Sequence, residues 1–232
     1  MAGDMQLDTL EARGLIRLAA LRPELEYLFR HWLVQDAAYG SLLKQERRDL
    51  HARVGQALET LYPERRSELA AVLAMHFEQA GDNARAIDYL VEAGEYGYRR
   101  NAIREAYEAF ERAARLLADG PPAGPSPSTR VRVALGKAET AYSFRGPDEV
   151  IDELEAVIPE AEALGDAGLL ARLHMLVALG RIQQTNDPQE ASVRRSLDRI
   201  EDLGRQLGDP SLRALPMAIV GMSKVFTGAP RE

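Results

Sequence analysis

The sequence contains no cysteine, which removes disulfide frameworks, thiolate nucleophiles and cysteine-ligated zinc together and fits a reducing compartment. It has four histidines, His31, His51, His76 and His174, no two of them at the i, i+4 spacing of a helical metal pair. Packed or solvated roles are therefore expected, and no metal site. Long apolar runs are also missing. Nothing approaches the roughly 18 consecutive apolar residues of a membrane span, and the opening residues lack the basic and apolar regions of an export signal. A cytoplasmic chain without membrane contact is the expectation. Nor is there an excess of basic residues: 29 Lys and Arg against 36 Asp and Glu leave a net charge of -7. That charge repels a phosphate backbone and argues against nucleic acid as the first partner.

Catalytic signatures are equally scarce. A phosphate loop needs G-x-x-x-x-G-K followed by Ser or Thr after a strand. The nearest approach, Gly136-Lys137, is followed by Ala138 and lies in a helical pattern. The carboxylates Asp148, Glu149, Asp152, Glu153, Glu155, Glu160 and Glu162 fall at helix starts and outer faces, where they complement the helix dipole and solvate the surface. No serine has the strand-turn-helix context of a hydrolase elbow. No catalytic residue and no cofactor are expected, so the chain is read as a non-enzyme. The basic pairs Arg47-Arg48, Arg65-Arg66, Arg99-Arg100 and Arg194-Arg195 are interleaved with acids, and ordinary surface ion pairing is expected of them.

What the chain does have is 232 residues of ordinary globular composition, 46 % apolar and 28 % charged, patterned almost throughout for helix. Ser67 is a plausible N-cap for a helix carrying Leu69, Val72, Leu73, Met75 and Phe77, stopped at Ala80-Gly81-Asp82. Further helices are predicted with Ala86, Ile87, Leu90 and Ala93, then from Ile103 to Leu117. The four prolines of Asp119-Gly-Pro-Pro-Ala-Gly-Pro-Ser-Pro-Ser128 forbid helix and favour an extended linker. Beyond it, helices are predicted over Thr129 to Phe144, Asp148 to Leu164, Ala167 to Gln184, Gln189 to Leu207 and Ser211 to Phe226. A kink is expected at Pro159 and an interruption at Pro216. Near the start, Gly14 to Leu18 and Leu25 to Phe29 are β-prone runs flanking Arg22-Pro23, which predicts a hairpin.

Internal repetition carries the fold reading. Ala86, Leu90 and Ala93 recur as Ala106, Phe110 and Ala113, as Val150, Leu154 and Val157, and as Val193, Leu197 and Ile200, always at steps of four and three. Leu164-Gly165-Asp166 recurs as Leu207-Gly208-Asp209. A small residue lets two helices approach closely while the larger one four residues on fills the partner's groove, and a stack of helix pairs results.

These residues resemble tetratricopeptide repeats. Leu73-Ala74, Phe77, Ala80-Gly81, Ala86, Leu90 and Ala93 fall where that consensus places leucine, small, aromatic, turn, alanine, bulky and alanine. The later units stretch to 43 residues between the two Leu-Gly-Asp turns and lack the consensus proline. The resemblance implies an all-α protein, a TPR-like right-handed α-α superhelix, with a concave face that holds a protein, a peptide or a small ligand. Transferred inner-face positions are Met75, Glu78 and Gln79, then Glu95, Tyr98 and Arg99, then Arg132, Glu139 and Tyr142.

A second, narrower resemblance lies upstream. Leu28-Phe-Arg-His-Trp-Leu-Val-Gln-Asp-Ala-Ala-Tyr39, with Leu42-Leu43-Lys44 and Arg47-Arg48-Asp49-Leu50-His51, is similar to the segment joining ATPase module to repeats in bacterial STAND-type signalling ATPases. Such proteins are fused to class III nucleotide cyclases, kinases or DNA-binding domains. The resemblance implies that residues 1–62 are a winged-helix remnant with connecting helices, and that 67–118 and 129–227 are repeat units flanking a linker at 119–128. It also implies that the whole is an excised regulatory part of a larger signalling machine, binding a partner protein or its own ATPase module. The rival expectation is a part of a DNA-binding transcriptional regulator or of a nucleotide cyclase, contributing contacts through the winged-helix remnant. Oligomeric state is left open by the sequence.

Overall fold

A computed structural model of the chain describes residues 2–20, 26–120, 126–142 and 148–226. Helix dominates, with eleven α-helices and one two-stranded sheet among the described residues. None of the described helices is long and apolar enough to cross a membrane.

Helix α1 (Ala2–Ala12) turns at Gly14, whose φ of +71° suits a residue without Cβ. Strands β1 (Ile16–Ala20) and β2 (Glu26–Phe29) then pair antiparallel, with Ile16 opposite Phe29 and Leu18 opposite Tyr27. The predicted hairpin is therefore present, while its expected turn at Arg22-Pro23 lies outside the described residues. Glu11 ties α1 to the hairpin by accepting the Leu18 amide at 3.0 Å. Helices α2 (Trp32–Ser41) and α3 (Lys44–Leu61) follow. This part buries little: among its apolar side chains Ile16 is buried, and α2 buries none.

From α4 (Arg66–Ala80) onward each helix packs on the next: α5 (Asn83–Arg99), α6 (Ile103–Ala118), α7 (Pro127–Ala141), α8 (Asp148–Leu164), α9 (Ala167–Thr185), α10 (Ala191–Leu207) and α11 (Pro210–Phe226). Helices α5, α7, α9 and α11 also touch one another in succession, so they share one layer. Helix α7 rests directly on α5 and α6, and stacking passes across the proline-rich segment, of which 121–125 lie outside the described residues. Helix α11 runs on through Pro216 instead of being interrupted there, and Pro159 lies within α8. Pro159 stands on an exposed side, where water can take up the carbonyl that loses its donor.

Recurring turns have one local cause. Gly81, Gly165 and Gly208 each adopt positive φ, +84°, +69° and +65°, where a side chain would be strained. The aspartate after each starts the next helix: Asp82 accepts from the Arg85 amide at 3.2 Å, Asp166 from Leu169 at 3.0 Å and Asp209 from Ser211 at 2.8 Å. Ser67 does not play this part. Helix α4 starts one residue earlier, after a 3-10 turn over Pro63–Arg65, because the Ser67 hydroxyl is taken by Glu92, to which it donates at 2.7 Å. Asp82→Ala and Asp166→Ala are each expected to lower stability by about 1 kcal/mol. Urea midpoints test this, and unchanged midpoints would show that the caps contribute nothing.

Glycine contacts set how closely the helices approach. A Cβ on Gly55 of α3 would lie 2.9 Å from the ring of Phe77, and Cβ atoms on Gly94 and Gly136 would lie 2.7 and 2.2 Å from the ring of Phe110. Each phenylalanine thus occupies the space a missing side chain leaves on a neighbouring helix. Phe110 is clasped from two sides, by α5 and α7. Around it, Leu73, Phe77, Ile87, Tyr89 and Leu90 form one core, with Phe77 and Tyr89 stacked at 5.6 Å. Leu135, Leu154, Leu173 and Leu203 anchor a second core, and Ile182, Leu197, Ile200 and Ile219 a third. Ten of the twelve triplet residues are buried, as their spacing predicts, and Ala93 and Val157 are partly buried.

Candidate functional site: a groove on α5, α7 and α9

The layer of α5, α7 and α9 carries a groove of about 570 Å³. Its floor is Phe110, Leu135, Gly136 and Leu169, and its walls are Glu95, Tyr98, Arg99, Arg132, Glu139 and Arg172. Five of the nine inner-face positions expected from sequence therefore meet in one place: Glu95, Tyr98, Arg99, Arg132 and Glu139. Glu78 and Gln79 line a different groove, between α3 and α4, with Tyr39, Lys44, Arg47 and Arg48. Met75 is half-buried on α4 and lines neither groove. Tyr142 caps the C-terminus of α7, is half-buried, and also lines neither; burial raises the pKa of its phenol.

Two forked ion pairs hold the walls in register. The Arg132 guanidinium grips Glu95 with bonds of 2.9 and 2.8 Å, joining α7 to α5. Arg172 grips Glu139 at 2.8 and 2.6 Å, joining α9 to α7. The Glu139 side chain is only 9 % exposed, and a carboxylate so far from water needs the paired donors Arg172 offers. Arg99 differs, since it pairs with no carboxylate among the described residues, and Tyr98 beside it is 41 % exposed. The groove thus has an apolar floor, two neutralised pairs on its walls, and one uncommitted guanidinium next to an accessible phenol. It can hold an apolar side chain below and an anionic group above. No nucleophile with an adjacent base lines it, and among the described residues no group of three His, Asp or Glu side chains could hold a metal ion.

Phe110 and Arg172 were missed by position-by-position reading of the sequence. A signal for Arg172 exists: opposite charges about one repeat apart. Glu78 meets Arg112 at 2.6 Å, Glu95 meets Arg132 and Glu139 meets Arg172, at separations of 34, 37 and 33 residues. The expectation of ordinary ion pairing for the arginine doublets holds for Arg65 with Glu68 and Arg66 with Glu92. It does not hold for Arg47-Arg48, which lie in the second groove without a carboxylate partner among the described residues.

Beside that second groove is a chain of hydrogen bonds with no sequence forewarning. The Tyr39 hydroxyl is 3.0 Å from His51 Nε2, and His51 Nδ1 is 2.9 Å from His76 Nδ1. Two arrangements of neutral rings satisfy both contacts: Tyr39 donates to His51 Nε2 and His51 Nδ1–H donates to His76, or His76 Nδ1–H donates to His51 Nδ1 and His51 Nε2–H donates to the Tyr39 oxygen. Burial lowers the pKa of both imidazoles, and His51 lowers that of His76 further.

Set against known proteins, the chain matches no family model. Over 110 residues, 46 % of the chain, it is 31 % identical to the uncharacterized protein R02095 of Rhizobium meliloti (strain 1021). The matched stretch spans about a tenth of that protein's length.

Proposed function

We propose that this chain is a non-catalytic interaction segment, a tetratricopeptide-like right-handed solenoid of a multidomain signal-transduction ATPase, whose α5, α7 and α9 groove receives a peptide carrying an acidic and an apolar side chain. The observation that carries the reading is the convergence of Glu95, Tyr98, Arg99, Arg132 and Glu139 on one groove. Helices α5 and α7, which touch across the intervening α6, present them together. In a stack of helix pairs the layer whose members touch in succession is the tighter, inner one, and peptides bind there. Arg99 selects for negative charge and the Phe110 floor for apolar bulk. The donor of such a peptide is a partner protein or the ATPase module of the same polypeptide. Binding is relayed onward only if the peptide prefers one arrangement of the stack over another.

Selection of peptides from a random displayed library on the intact chain tests this, with Tyr98→Ala/Arg99→Glu as the counter-target. Enrichment of acidic-apolar sequences that bind the double variant about tenfold more weakly is the expected result. Equal binding to both proteins, or no enrichment, sinks the proposal. ATP turnover by this chain is expected to stay at background, and activity above it would contradict the non-catalytic reading.

A further inference from the structure

A separate chemistry is built into the groove between the start of α3 and the end of α4, about 330 Å³ in volume. Three cations line it: Lys44, Arg47 and Arg48. None is in an ion pair with a described residue, although the chain carries a net charge of -7 and Arg65, Arg66, Arg85, Arg130, Arg132, Arg172 and Arg181 all pair with carboxylates. Three acids near them in sequence or in the groove make other contacts. Glu46 accepts the Leu43 amide at 2.8 Å, Asp49 accepts from Gln45 at 2.8 Å, and Glu78, in the groove itself, is held by Arg112 at 2.6 Å. Tyr39 lies under the Arg47 guanidinium, 5.2 Å from its ring centroid, and Gln79 adds a neutral amide.

We propose that this groove binds a phosphate group, as inorganic phosphate or a small phosphate monoester, between Lys44, Arg47 and Arg48. Three clustered cations match a dianion with several acceptor oxygens better than a single carboxylate, and two guanidinium forks supply paired donors. The volume admits a phosphate with a small substituent. The site does not depend on the peptide groove of α5, α7 and α9. It also comes with its own reporter. Arg47 stacks on Tyr39, Tyr39 bonds His51, and His51 bonds His76. A dianion brought to Arg47 stabilises the protonated imidazoles and raises their titration midpoints.

The test is a titration of the full chain followed by the NMR signals of the His51 and His76 rings, with inorganic phosphate, O-phosphoserine and sulfate at matched ionic strength. Saturable binding of phosphate or phosphoserine, with an upward shift of both histidine midpoints, is expected. Which of the two binds more tightly identifies free phosphate or the ester as ligand. Lys44→Gln/Arg48→Gln, both exposed side chains, is expected to weaken binding about tenfold or more. Arg194→Gln/Arg195→Gln, the same loss of charge elsewhere, is expected to leave it unchanged. The same response to sulfate, equal weakening by both double variants, or no saturation would each overturn the site.

Discussion

Phe110→Ala is expected to cost about 3–5 kcal/mol of folding free energy, the range for emptying a buried aromatic site. The ring is 2 % exposed and lies in the hollow made by Gly94 of α5 and Gly136 of α7, so its loss leaves a cavity where three helices meet. It also forms the floor of the candidate peptide groove, and the same variant is expected to lose peptide binding. The converse substitution, Gly136→Ala, forces a methyl to within 2.2 Å of the ring and is expected to cost about 1–3 kcal/mol through overpacking. Combining the two separates this account from a general loss of helix quality. In the Phe110→Ala background the added methyl fills part of the cavity, so the pair costs less than the sum of the singles. Denaturant melts of the four proteins measure the cycle. Strict additivity would mean that Phe110 and Gly136 do not share the space the structure assigns them.

Acidification between pH 7.5 and 5.5 is expected to destabilise the fold before its carboxylates titrate. Three histidines have folded pKa values below the ordinary 6.5. In His51 and His76 burial is the main cause. In His174 burial leads and Arg199 adds to it, against an opposing pull from Glu162. Below pH 6.5 the unfolded chain therefore binds more protons than the folded one, and stability rises with pH across this window. Their contribution is complete above 6.5 and is lost as pH falls through the folded values. His174 is the strongest case, since its ring is buried, its Nε2 has no partner among the described residues, and Ser196 Oγ lies 3.5 Å from Nδ1. It supplies up to about 1.4 kcal/mol per pH unit within the window. His51 and His76 are more exposed and water screens them, so each contributes less. Protonating both also removes their contact, because two imidazolium rings have no acceptor to offer each other. Urea midpoints at pH 7.5, 6.5 and 5.5 measure the slope, and His51→Gln/His76→Gln is expected to flatten it in part. A stability that does not change over this interval would refute the account.

The helix boundaries and repeated turns were legible in the sequence wherever the cause is local. Gly81-Asp82, Gly165-Asp166 and Gly208-Asp209 are adjacent residues acting within one turn of backbone, and their types suffice to announce a stop and a start. The hairpin was legible for the same reason. Ser67 misled because its hydroxyl is claimed from the next helix by Glu92, 25 residues on. Pro216 misled because the cost of an interior proline is a local sum, which packing of the flanking turns can outweigh.

The candidate groove was half legible. Glu95, Tyr98, Arg99, Arg132 and Glu139 were singled out by aligning repeats, and the geometry gathers them. Placing Met75, Glu78 and Gln79 in the same set requires α4 to lie in the same layer as α5 and α7. Yet α5, α7 and α9 are the helices that touch in succession, and α4 serves the other groove through Glu78 and Gln79. Which helices come to touch in succession depends on packing between helices far apart in the chain, not on the pattern within one helix.

The sequence by itself determined an all-α chain with one hairpin, the position of most helices and the residues they bury, because periodicity, glycine stops and aspartate caps act over a few residues. Only the tertiary structure decided that Phe110 sits between two glycines, that Arg132 and Arg172 lock Glu95 and Glu139 across helices, and that Tyr39, His51 and His76 form one chain of bonds. Those partners stand 12 to 37 residues apart. What brings them together is how closely one helix can approach another, a distance set by side chains on both.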